Sequence, residues 1–300
     1  MKLSTIRTPN GIRAGVVEND EIVLLPHADV RAVLEAAEAS SVEAVVGSAE
    51  RGERMAIGSV DFAPVVPRPE KIVCVGLNYR SHIEEMGRAL PEFPTLFAKY
   101  TRSLIGARDP IPLPAESSSV DWEVELTIVI GRTVRRARGS TALDAIAGFT
   151  VMNDISMRDW QNRTLQFLGG KTWDASTPVG PVFVTRDEIG DGVNLALRTE
   201  VDGVVMQEST TSDLLFGPVE LVEYISTLVT LEPGDLIATG TPGGVGAGRK
   251  PPVFLRPGNV VRATIDGIGT LENRCRAEET RRRVPDRTDP PGSAGPRSLP

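Results

Sequence analysis

The chain has 300 residues, 33 Lys+Arg against 40 Asp+Glu, a net charge of −7 and 40% hydrophobic residues. That length and apolar share support a sizeable core in one large domain or two modest ones, and the acid excess argues against nucleic-acid binding. The two cysteines, Cys74 and Cys275, form no CxxC pair, which excludes a structural zinc site or disulfide framework. No stretch approaches transmembrane length and Met1 to Arg7 lacks a signal-peptide apolar core, so the expectation is a soluble cytoplasmic protein with no membrane role.

In chain order, Ile12 to Val17 and Glu21 to Leu25 predict a hairpin across Glu18-Asn19-Asp20. An Ala-rich stretch from Val30 to Val46 is helix-like, and Pro64, Pro67 and Pro69 mark a linker. Residues 1–66 thus read as a small α+β module. From Lys71 onward the chain turns to short apolar strands and Gly/Pro turns, the pattern of a β-rich α+β core. Cys74, inside Ile72-Val73-Cys74-Val75, reads as a buried inert thiol.

Next comes Gly76-Leu77-Asn78-Tyr79-Arg80-Ser81-His82-Ile83-Glu84-Glu85. His82 is one of only two histidines; the other, His27, reads as a loop residue. On a short helix His82 and Glu85 are i,i+3 neighbours, and a carboxylate beside an imidazole suits a general base. The plainer alternative is a surface His–Glu pair.

The most informative strand is Asp121-Trp122-Glu123-Val124-Glu125-Leu126-Thr127-Ile128-Val129-Ile130. Alternation puts Trp122, Val124, Leu126, Ile128 and Ile130 on one face and both glutamates on the other, roughly 6.5–7 Å apart at Cα. Carboxylates that close can converge on a hard cation, although a solvated strand face has the same pattern. A third carboxylate, Asp154, lies at a strand-to-helix junction in Met152-Asn153-Asp154-Ile155-Ser156-Met157-Arg158-Asp159-Trp160-Gln161, either as part of a site or as a helix N-cap. A helical turn there brings Arg158 and Gln161 to its face. Lys171, after Gly169-Gly170, offers a fixed positive charge. Thr239-Gly240-Thr241-Pro242-Gly243-Gly244-Val245-Gly246 offers hydroxyls and backbone N–H groups but lacks the Gly-Lys-Ser/Thr of a phosphate loop. A structural turn is the alternative for each loop. Asp202-Gly203 predicts a hairpin turn, and Pro233-Gly234-Asp235 and Pro257-Gly258-Asn259 each precede an apolar strand. From residue 277 the Arg/Pro/Ser/Gly composition predicts a disordered tail.

In this order, Gly-Leu-Asn-Tyr-x-x-His-x-x-Glu, Glu-x-Glu, Asn-Asp-x-Ser-x-Arg-Asp-x-Gln, Gly-Lys and Gly-Thr-Pro followed by Gly-Val-Gly, the motifs resemble the fumarylacetoacetate hydrolase family. Residues 1–66 resemble the small N-terminal domain of its acylpyruvase and 2-hydroxyhepta-2,4-diene-1,7-dioate isomerase branch. The resemblance implies a mixed β-roll catalytic domain over 67–276, in a homodimer. It implies Glu123, Glu125 and Asp154 as ligands of Mg²⁺, with Mn²⁺ or Ca²⁺ able to substitute. It further implies His82 and Glu85 as catalytic dyad and Lys171 as catalytic cation, with Arg158, Gln161, Thr241, Lys99 and Tyr79 around the substrate. One departure is Leu77, where acylpyruvases often carry Arg. The activity implied first is hydrolytic C–C cleavage of an acylpyruvate such as fumarylpyruvate, a 2,4-dioxo acid. Oxaloacetate decarboxylation or 2-hydroxy-dienoate isomerisation through the same enolate is the alternative, and a catalytically silent scaffold is a third.

Overall fold

The computed structural model describes residues 1–85, 87 and 89–279, with Glu85 described in its backbone alone. The expected tail falls, from residue 280 on, outside the described residues. The hairpin of Gly11–Glu18 and Glu21–Leu24 forms across Asn19, whose φ of 57° is one that Asn adopts readily. Asp202 and Gly203, with φ of 51° and 80°, likewise turn Ala196–Val201 into Val204–Thr210. The Ala-rich stretch is two helices, Val30–Ala37 and Val42–Ser48, because Ser41 caps the second by accepting the Ala44 N–H.

The larger sheet is 12-stranded and mixed. From one edge it runs Arg54–Ala56, Glu21–Leu24, Gly11–Glu18, Lys2–Thr8, Thr177–Thr185, Ile146–Asn153, Val124–Ile130, Leu236–Ala238, Ile72–Gly76 and Thr95–Lys99. The strands of the N-terminal stretch therefore extend the same sheet, joined through Lys2–Thr8 to Thr177–Thr185. A 5-stranded sheet of Val204–Thr210, Ala196–Val201, Val260–Ile265, Gly269–Ala277 and Ile111–Leu113 covers part of it, and neither closes into a barrel.

Val124–Ile130 is the central strand, and all seven of its residues are buried. Its even face, Leu126 and Ile128, packs with Phe149, Val151, Ala263 and Leu271 toward the second sheet. On its odd face Val129 packs with Met152, Phe183 and Leu34. A strand covered on both sides carries apolar residues on both faces. Its polar residues, Glu125 and Thr127, therefore need a local reason, and for Glu125 that reason lies at the start of the strand.

Candidate active site

The antiparallel register pairs Val124 with Asn153. One residue further out, the Asp154 N–H donates to the Glu123 carbonyl at 2.8 Å, and the Glu123 N–H donates to Asn153 Oδ1 at 3.0 Å. The pairing thus brings Asp154 beside Glu123 while alternation keeps Glu125 on the same face. One carboxylate oxygen from each of Glu123, Glu125 and Asp154 lies within 4.8 Å of the others. Their exposures are 6%, 1% and 0%, which rules out the solvated strand face. Asp154 is not a helix cap either, since the short helix Arg158–Gln161 starts after Met157.

Three cations gather round these acids. Lys171 Nζ donates to Glu123 Oε2 at 2.6 Å and Asp154 Oδ2 at 2.8 Å. Lys99 Nζ approaches Asp154 Oδ1 at 2.5 Å. Arg158 reaches Glu123 Oε1 at 2.7 Å and, through Nε, Asp121 Oδ2 at 2.8 Å, and it also donates to Gln161 Oε1 at 2.9 Å. Lys171 ends the helix Leu168–Lys171, which comes close to Gln161 because residue 170 is glycine; a Cβ there would lie 2.4 Å from Gln161 Cβ. Asp121 was not singled out in the sequence. Its carboxylate accepts from the backbone N–H groups of Trp122, Gly246 and Ala247 as well as from Arg158.

The charges do not balance. Four carboxylates, Asp121, Glu123, Glu125 and Asp154, share the three cations, and among the described residues Glu125 has no cation in contact. The Gly240 N–H, at 2.8 Å, serves its carboxylate. Burial, followed by the charges of Asp154 and Glu123, pushes the Glu125 carboxyl well above the usual carboxylate range. Burial alone would do the same to Asp154, but Lys171 and Lys99 outweigh it and hold that carboxyl low. Burial opposes the charge on Lys171 as well, and the attraction of Asp154 and Glu123 overcomes it, keeping the ammonium protonated. A buried cluster of oxygen donors with surplus negative charge fits a hard divalent cation such as Mg²⁺.

Glu123 and Glu125 open into a cavity of about 680 Å³. His82, Arg158, Gln161, Lys171 and Thr241 line it, so most of the expected set is brought together around the triad. Leu77 is also on the wall, in a left-handed conformation with φ of 56°. Thr241 Oγ1 donates to the Val124 carbonyl at 3.0 Å and accepts from Gln207 Nε2 at 2.8 Å, which ties its loop to the central strand. Three expected residues among those described do not line the cavity, Asp154 being set just behind the two glutamates. Lys99 is buried behind Asp154, and Tyr79 lies in the core with Val75 and Leu214. The helix Arg80–Glu85 carries His82 and is held through the Ser81 hydroxyl and N–H, both bonded to Asp213. The side chain of Glu85, the other half of the expected dyad, lies outside the described residues. Arg249, also on the wall, was missed because nothing in its local sequence marks it.

The family described as fumarylacetoacetate (FAA) hydrolase C-terminal matches residues 71–276. The rat mitochondrial oxaloacetate tautomerase Fahd2a is 44% identical over 216 residues, which is 72% of this chain and 69% of the relative. A fumarylacetoacetate hydrolase from Exiguobacterium antarcticum superposes with a TM-score of 0.82 at 34% identity, over 93% of this chain and 100% of its own. The 2-hydroxyhepta-2,4-diene-1,7-dioate isomerase of Mycobacterium marinum gives 0.76 at 34% identity, over 93% and 99%. The mitochondrial relatives overturn the cytoplasmic location expected from the sequence. That expectation leaned on a missing apolar core, whereas mitochondrial import segments are amphipathic and Arg-rich, so its absence has no bearing.

Proposed function

The chain belongs to the fumarylacetoacetate hydrolase family, and within it we propose an enolising enzyme that interconverts the keto and enol forms of oxaloacetate with the help of a divalent cation. The observation that carries the choice of reaction is the 44% identity to a relative named as an oxaloacetate tautomerase. It moves the reading away from acylpyruvate hydrolysis, which the sequence motifs favoured. The cavity suits this reading, since proton relocation needs a fixed positive field and one proton carrier but no activated water.

Glu123, Glu125 and Asp154 would hold the cation, which supplies Lewis-acid polarisation of a 2-oxo acid. Lys171 adds a permanent positive charge where negative charge develops on the 2-oxo oxygen, and its two carboxylate contacts keep it from reorienting. His82 presents an imidazole on the cavity wall, a group able to accept and return a proton. In the ketone-to-enol direction the C3–H bond breaks, its proton passes to the imidazole while the electron pair forms the C2–C3 double bond, and the imidazolium then returns that proton to the 2-oxo oxygen, leaving His82 neutral. Phe97 and Phe167 on the wall lower the local polarity and strengthen each of these charge interactions.

The same transfer between oxygen and carbon isomerises a 2-hydroxy-dienoate, a second reading favoured by the likeness to the M. marinum isomerase. The test follows decay of the enol absorbance of freshly dissolved oxaloacetate with purified protein and Mg²⁺, alongside deuterium uptake at C3. Acceleration beyond Mg²⁺ alone, abolished by chelator, supports the tautomerase. No acceleration with oxaloacetate but turnover of a dienoate supports the isomerase. Pyruvate plus a carboxylic acid from an acylpyruvate would return the assignment to the hydrolase.

A further inference from the structure

Among the described residues three side chains of fixed positive charge line the cavity: Arg158, Lys171 and Arg249. The first two are engaged by Asp121, Glu123 and Asp154. Arg249 differs, because no carboxylate among the described residues pairs with it. Its Nη2 donates to the Met206 carbonyl at 2.7 Å, while its Nε is buried without an acceptor. A buried guanidinium N–H with no acceptor is unfavourable, and the Met206 carbonyl leaves the positive charge of Arg249 uncompensated by any carboxylate among the described residues.

The loop bearing Arg249 is tied to the segment that carries Glu123 and Glu125. Asp121, two residues before Glu123 at the end of the short strand Val120–Asp121, accepts from Gly246 N–H at 2.7 Å and Ala247 N–H at 3.0 Å. The Trp122 indole N–H donates to the Gly244 carbonyl at 3.3 Å, and the Arg249 N–H closes a turn onto Gly246 at 3.3 Å. Residue 246 must be glycine, since a Cβ there would sit 1.9 Å from the Val253 carbonyl. The spacing between triad and guanidinium is therefore set by the fold before any ligand arrives, which reduces the ordering needed on binding.

We propose that Arg249 is the anchor for the distal carboxylate of the substrate and sets a preference for 2-oxo dicarboxylates over 2-oxo monocarboxylates. The inference rests on the enolising reading in that the triad end of the cavity takes the 2-oxo acid group. A dicarboxylate such as oxaloacetate carries a second negative charge past a cluster whose cations are already outnumbered. Among the described residues Arg249 is the cavity cation left to receive it, and its forked N–H groups match a carboxylate.

The experiment compares wild type, Arg249→Gln and Arg249→Lys as full-length protein with Mg²⁺. Binding of fresh oxaloacetate and of 2-oxobutyrate, the four-carbon analogue with methyl in place of the distal carboxylate, is measured by calorimetry, and oxaloacetate enolisation is followed in parallel. The expected result is roughly 10- to 100-fold weaker oxaloacetate binding in Arg249→Gln, with 2-oxobutyrate unchanged. KM for oxaloacetate should rise with kcat retained, and Arg249→Lys should recover part of the loss. Equal weakening of both ligands, or of neither, overturns the proposal, and so does an Arg249→Lys variant as poor as Arg249→Gln toward both. If wild type binds oxaloacetate selectively through Arg249 yet does not enolise it, the anchor stands and the reaction assignment fails. If it enolises oxaloacetate and Arg249→Gln binds it normally, the reverse holds.

Discussion

Replacing Lys171 with Met tests whether this lysine compensates the carboxylate cluster. Its ammonium is 2% exposed and touches Glu123 and Asp154 at 2.6 and 2.8 Å. At an effective dielectric constant near 20, a unit pair at such separation gains about 6 kcal/mol, most of which offsets the cost of desolvating the charges. Methionine fills similar volume but leaves each carboxylate with a single cation, Arg158 on Glu123 and Lys99 on Asp154, so the net loss should be about 3 kcal/mol, the lower end of the range seen when one partner of a buried pair is removed. For a chain of this size that lowers Tm by roughly 10 °C in the metal-free protein. Mg²⁺ should then give a larger rise in Tm than in wild type, because it neutralises charge that Lys171 no longer covers, while enolisation stays lost. The assay is thermal unfolding with Mg²⁺ or chelator, paired with the oxaloacetate rate. A metal-free Tm within about 2 °C of wild type would refute the compensation argument, and a wild-type rate would refute the catalytic one.

Glu125→Gln should leave the metal-free Tm unchanged or raised, since it replaces a buried carboxyl already pushed toward its neutral form, and should abolish the Tm rise on adding Mg²⁺; a retained rise would remove Glu125 from the ligand set. His82→Ala should lower turnover by about 10²- to 10⁴-fold with Mg²⁺ affinity within about twofold of wild type, and a smaller rate loss would assign the proton to another group. Neither cysteine should react with a thiol reagent in the native protein at pH 8. Burial, aided by Asp202, pushes the Cys275 thiol up to about 12, so pH 8 lies far below its titration and the reactive thiolate is scarce; burial pushes Cys74 well above the ordinary thiol range as well, and both should react once guanidinium unfolds the chain. Rapid labelling of the folded protein would show that one of these sites opens.

What could be read locally in the sequence is what local geometry decides. Asn19-Asp20 and Asp202-Gly203 announce hairpins because few residues tolerate positive φ, and both hairpins form. The alternation of Glu123 and Glu125 places them on one face whatever the strand packs against. Their burial was not legible, because it depends on a central strand being covered on both sides and on Lys99 and Lys171 arriving from distant segments. Lys99 and Tyr79 were expected at the substrate by position in a motif, yet only the packing could show that one sits behind Asp154 and the other in the core. Asp121 had a signal that went unused, since it continues the same alternation as the two glutamates. Arg249 had none, as its significance arises from the absence, among the described residues, of a carboxylate partner in a cavity where Arg158 and Lys171 have one.

The segment from Asp121 to Glu125 thus carries three acids in three electrostatic settings, Asp121 ending the short strand Val120–Asp121, Glu123 just before the strand Val124–Ile130 and Glu125 within it. Asp121 is saturated by four N–H donors and holds the loop of residues 244–249 in place. Glu123 lies between Arg158 and Lys171. Glu125 has the Gly240 N–H and no cation in contact among the described residues. The series is fixed at both ends, because Val120–Asp121 pairs with Ser156–Met157 while Val124–Ile130 pairs with Ile146–Asn153. The side of the cavity that needs a cation is therefore built next to the residue that locates the loop of Arg249. A change at Asp121 should disturb both ends of substrate recognition together, whereas a change at Arg249 should disturb only one.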